Sequence, residues 1–105
     1  MVECQLSFHN LEDIRQYVTH TLSQIELLRP ESSQLTLRLL TRNDQPCGVY
    51  FCLHGPRAVK LTAIWETDAN TILFYGSRGE RVQKTQLVEA PELEVQAITT
   101  WSSAA

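Results

Sequence analysis

The stretch ANTILFYGSRGERVQKTQ, residues 69–86, decides the fold. Two readings compete for it. With Asp68 as a cap, Ile72, Tyr75, Gly79 and Val82 fall on one face of a helix. With Gly76, Ser77, Arg78 and Gly79 as a turn, the same residues make a hairpin of Thr71 to Tyr75 and Glu80 to Val88. The helix would hold two glycines in its interior, each about 1 kcal/mol worse there than alanine. It would also hold Thr71, Ile72, Phe74 and Tyr75, residue types better suited to a pleated, half-buried surface. The hairpin is the reading adopted.

The stretch before it supports that choice, because its hydrophobic period is already 2. Leu35, Leu37 and Leu39 alternate with Thr36 and Arg38. Asn43, Asp44, Gln45 and Pro46 are turn residues. Val49, Phe51 and Leu53 alternate with Tyr50, Cys52 and His54, and Gly55 and Pro56 punctuate again. Val59, Leu61, Ala63 and Trp65 alternate with Lys60, Thr62 and Ile64 up to a turn at residues 67–70. Turns spaced this regularly predict an antiparallel meander.

Further upstream the period is 3.6. Leu11, Ile14, Val18, Leu22, Ile25 and Leu28 form one apolar stripe, and Glu12, Gln16, Thr19, His20, Ser23 and Glu26 lie behind it. Asn10 is a good cap, and Glu12 and Asp13 suit the positive end of the helix dipole. The spacing predicts a helix over 11–28, stopped by Pro30. Ahead of it Val2, Cys4, Leu6 and Phe8 alternate with polar residues, as a short strand or as an arm stapled to the helix.

The rejected helical reading of 69–86 would give the order βαβββα. That order, with this N-terminal strand and helix, resembles the double-stranded-RNA-binding and ribosome-hibernation type of domain. The resemblance implies a basic surface, since each phosphate contact needs a cation. The charges do not supply one. All nine Lys and Arg lie between Arg15 and Lys84, and nine of the twelve acids share the 1–87 span. Glu89, Glu92 and Glu94 leave the chain at −3. Arg57, Lys60, Arg78, Arg81 and Lys84 are interrupted by Glu66, Asp68 and Glu80, which reads as a solvated face. Nucleic acid is not an expected partner.

A chain of 105 residues suffices for one domain. Leu, Ile, Val and Phe make up 28% of it, above the roughly 20% below which chains tend to stay disordered. No run approaches 18 apolar residues, and the first five residues lack the basic start of a secretory leader. The expectation is a soluble, cytoplasmic protein with no membrane partner. Cys4, Cys47 and Cys52 are odd in number and lack C-x-x-C spacing, so they are expected as reduced thiols. No metal and no cofactor are expected. Residues 1–88 are read as a single α+β domain and 89–105 as an acidic, partly apolar tail. Its Leu93, Val95, Ile98 and Trp101 either dock on the domain or serve a partner.

The expected fold is α+β. One N-terminal amphipathic helix packs on one face of an antiparallel, meander-type curved sheet of four to six strands. Phe51, Leu53, Val59, Leu61, Ala63, Trp65, Ile72 and Phe74 make the covered face, provided the connection after His54 is odd in length. A three-residue loop of Gly55, Pro56 and Arg57 meets that condition. The opposite face then carries Tyr50, Cys52, His54, Lys60, Thr62, Ile64, Leu73, Tyr75 and Val82, too apolar for an ordinary solvent face.

The leading functional reading is therefore a small non-enzymatic interaction module. It associates with itself, or with another protein, through Tyr50, Cys52, His54, Ile64, Leu73 and Tyr75. The alternative is a binding module for an anionic small molecule or nucleic acid, with Arg57, Lys60, Arg78 and Arg81 as anion ligands. Cys52 and His54 share a strand face, so a thiol nucleophile or half a metal site is a third option. No carboxylate has an identifiable place to orient the imidazole. None of the common hydrolase or zinc-protease motifs occurs either, so no catalytic residue is assigned.

Overall fold

The computed structural model describes residues 2–28 and 33–91. The elements are β1 (Val2–Ser7), α1 (Leu11–Ile25), β2 (Gln34–Arg42), β3 (Gln45–His54), β4 (Lys60–Glu66), β5 (Thr71–Tyr75) and β6 (Arg81–Glu89). Residues 69–86 form the hairpin of β5 and β6, with Gly79 N–H donating to the Gly76 carbonyl at 3.0 Å to close the turn. Gly79 has φ +82°, a conformation that suits glycine and few other residues.

The six strands make one sheet in the order β1-β6-β5-β4-β3-β2. From β2 to β6 it is the expected antiparallel meander. The first strand departs from that pattern. It runs parallel to β6, pairing Val2 with Gln83 and Leu6 with Leu87, so the sheet is mixed. Parallel pairing needs a crossover, and α1 with its flanking residues supplies one between the two edges of the sheet. On the way α1 packs over β3 and β4.

The helix begins as expected, with the Asn10 side chain accepting the Asp13 N–H at 2.8 Å. It ends earlier than the periodicity predicts, at Ile25 and not at 28. Leu27 turns to φ +54°, and Leu28 N–H donates to the Ser23 carbonyl at 2.7 Å. Leu27 N–H meets the Gln24 carbonyl at 3.3 Å. This is a Schellman stop with leucine where glycine is usual. It releases Leu28 to pack at Gly55, at the end of β3.

The core lies between α1 and the inner sheet face. Ile14, Val18 and Leu22 of the helix are buried, as are Phe51, Leu53, Leu61, Ala63, Trp65, Ile72 and Phe74 of the sheet. Val59 packs against them, partly buried. The connection from His54 to Lys60 is longer than expected. It has five residues, closed by Gly55 N–H to the Val59 carbonyl at 2.9 Å around a single 3-10 turn, Pro56–Ala58. Its parity is still odd, so the two faces are the ones read from the alternation. Ala90 also packs on the core. The apolar tail residues Leu93, Val95, Ile98 and Trp101 lie outside the described residues. Among the described residues no helix is long and apolar enough to cross a membrane.

Candidate functional site

Directly paired residues of a sheet share a face, so the strand registers lay out the outer surface in rows. One row crosses all six strands: Arg38, Tyr50, Ile64, Leu73, Lys84 and Glu3, from β2 to β1. The next row toward the β3–β4 loop holds Thr36, Cys52, Thr62 and Tyr75, with Arg81 paired to Tyr75 across a bulge. Beyond it lie Gln34, His54 and Lys60. The structure thus brings together all six expected interface residues. Tyr50, Ile64, Leu73 and Tyr75 are half-buried by their neighbours, and α1 lies on the other side of the sheet. Arg38 sits over the Tyr50 ring at 5.9 Å, and Arg81 over the Tyr75 ring at 5.8 Å.

A groove of about 480 Å³ opens on this face, lined by Thr36, Leu37, Arg38, Tyr50, Cys52, His54 and Lys60. The Thr36 hydroxyl donates to the Cys52 carbonyl at 3.4 Å. Its oxygen lies 3.1 Å from His54 Nε2. Which of the two atoms donates depends on the imidazole tautomer. Among the described residues the imidazole is held by a hydroxyl and not by a carboxylate. Cys52 is buried, and burial pushes its thiol pKa up, against a weaker downward pull from the Lys60 ammonium. An activated nucleophile needs the opposite shift. The pair forms a polar floor to the groove, with no carboxylate among the seven described residues that line it.

Of the four expected anion ligands, Lys60 lines this groove. Arg57 lies in the β3–β4 loop, Arg78 in the β5–β6 turn and Arg81 at the start of β6, so all four share one end of the sheet. Arg57, Arg78 and Arg81 do not line the groove. Arg38 and Thr36 do, and the sequence reading passed over both. On β2 they alternate with leucines as any solvent-side residues would. Only the register, which sets Thr36 opposite Cys52 and Arg38 opposite Tyr50, places them in the site.

No protein-family model, curated protein or solved structure matches the chain.

Proposed function

We propose that the chain is a small, non-enzymatic, cytoplasmic interaction module that associates with itself through the outer face of its sheet. The observation that carries this is the row of Tyr50, Ile64 and Leu73 across β3, β4 and β5, on the face α1 does not cover. These three neighbouring, half-buried apolar side chains, with Tyr75 in the next row, make the face more apolar than an ordinary solvent face, which supports an interface there. The raised Cys52 thiol, and the absence of a carboxylate at His54 among the described residues, weigh toward binding and away from chemistry. Three cysteines cannot all pair within one chain, which favours a reducing compartment. Native mass spectrometry of the full chain tests the reading. A mass of twice 12.0 kDa is expected, and a monomer at all concentrations overturns it.

One observation favours a second reading, the binding of a small anion. The groove places Arg38, Lys60 and His54 around a floor without carboxylates among the described residues. A titration with sodium sulfate, followed by amide shifts, tests it. Saturable shifts at residues 36, 54 and 60 support the reading, and shifts confined to the loops at 57 and 78 remove it.

A further inference from the structure

We propose that two copies stack their outer sheet faces about a two-fold axis running along the strands. Ile64 of each then meets Leu73 of the other, and Arg38 meets Glu3 of the second copy. This rests on the self-association proposed above and adds its geometry and its charge code.

The six-residue row supplies the argument. It reads Arg38, Tyr50, Ile64, Leu73, Lys84, Glu3, one residue per strand from edge to edge. Its midpoint falls between Ile64 and Leu73. An axis along the strands through that midpoint reverses the row onto itself. Ile64 then meets Leu73 at the dry centre. Tyr50 meets Lys84, whose alkyl stem can pack along the ring beside Arg38. Arg38 meets Glu3 at the rim, opposite charges across an isologous contact.

The neighbouring rows keep the same logic. Thr62 falls on Tyr75, Glu66 on Thr71 and Leu40 on Gln5, so like charges are not superposed. The other aligned two-fold, with its axis along the row, sets Arg38 on Arg38, Lys84 on Lys84 and Glu3 on Glu3. Three like-charge contacts then disfavour it. In the single copy none of these three charges has an ion-pair partner among the described residues.

The footprint is that of a small interface. Two rows cross all six strands and the Tyr75 row crosses five, so with strands about 4.8 Å apart and rows about 7 Å apart the overlapping area is on the order of 500 Å². A standard stable interface takes roughly 800 Å² per partner, so the dimer is expected to be a weak one. Stacked sheets cross at about 30°, so the match is closest at the centre and drifts toward the ends. Arginine and glutamate stand at those ends, where flexible reach is needed.

Sedimentation equilibrium of the full chain decides the matter, on wild type, Ile64→Asp, Arg38→Glu, Glu3→Arg and the double charge reversal. Wild type is expected to dimerise and Ile64→Asp to be monomeric. Each single reversal should weaken the dimer about tenfold, the effect of a like-charge contact of modest strength. The double reversal should return to within about threefold of wild type. If Ile64→Asp dissociates the dimer but the double reversal is no better than the singles, the face is right and this axis is wrong. A monomeric wild type, or a dimer indifferent to Ile64→Asp, fails the underlying reading. Arg38 and Glu3 are exposed, so their variants are expected to fold. Should Ile64→Asp unfold by circular dichroism, Leu73→Lys on the same row takes its place.

Discussion

The Tyr17 hydroxyl stands 2.8 Å from Thr85 Oγ1, bridging α1 to β6 beneath the core. Gln83 Nε2 donates to the Tyr17 hydroxyl at 2.9 Å and to Thr85 Oγ1 at 3.3 Å. Thr85 is fully buried, so its hydroxyl depends on these two partners. The ring of Tyr17 packs between Phe8 and Phe74, with centroids at 5.2 and 5.8 Å. Tyr17→Phe keeps the ring and removes one corner of the cluster. It should cost about 1–2 kcal/mol, the range for a lost buried hydrogen bond. Urea unfolding at 25 °C measures it, with an unchanged slope expected. Thr85→Val should cost less in the Tyr17→Phe background than in wild type, by about 0.5 kcal/mol or more. Strict additivity would mean the two hydroxyls do not interact.

Leu27 is 89% exposed and holds φ +54° at the helix stop. A leucine in this region is strained by about 1 kcal/mol or more, and its side chain gains little packing in return. Leu27→Gly should stabilise the chain by about 0.5–1 kcal/mol, the strain relieved less the greater freedom of the unfolded chain. A rise in the thermal midpoint of several degrees is the readout. A fall would mean that Leu27 makes a contact this exposure does not suggest.

The raised Cys52 thiol gives stability an alkaline limit. A free thiol loses its proton near pH 8.5. Above that value the unfolded chain has released the Cys52 proton and the folded chain still holds it. Stability therefore falls as pH rises from about 8.5 through the higher folded value. Cys52→Ala lowers stability at every pH by leaving space, yet its curve should be flatter between pH 8 and 10. Parallel curves for the two proteins would show that the thiol is not held protonated. Glu12 works in the acid direction. The Arg15 guanidinium beside it holds its carboxyl below the usual range, so this contribution is present near neutrality and lost as pH falls. The pair is well exposed, which keeps that contribution small.

Much of the fold could be read locally, and what was missed depends on distant partners. Alternation along residues 49–65 names the inner and outer faces, because an odd connection of three or five residues gives the same parity. Gly76 and Gly79 rule a helix out of 69–86, since their cost is intrinsic to the backbone. The helix end was misplaced because Leu27 adopts its conformation to let Leu28 reach Gly55, a contact across the sequence. The parallel place of β1 was missed for the same reason, as Val2 finds Gln83 and nothing in either segment encodes the other. Of the outer surface, Tyr50, Cys52 and His54 stand out by residue type. Thr36 and Arg38 are ordinary strand residues until the register sets them beside those three.

Two glycines next to other atoms separate backbone crowding from side-chain crowding. A Cβ on Gly48 would stand 2.3 Å from the Trp65 carbonyl oxygen, a backbone atom fixed by the pairing of β3 with β4. A Cβ on Gly55 would stand 2.8 Å from Leu28 Cδ1, the tip of a side chain that can turn away. Gly48→Ala must therefore shift a strand and should cost about 2–3 kcal/mol, at the upper end for overpacking. Gly55→Ala should cost about 1 kcal/mol, the scale of a side chain forced off its rotamer. The Leu28→Ala background tells the two apart, because removing the tip frees the space at residue 55 alone. Gly55→Ala should become close to neutral there, and Gly48→Ala should keep its full cost. Urea midpoints of the three single and two double variants measure both. If Gly55→Ala is as costly in that background as in wild type, Leu28 does not occupy the space beside it.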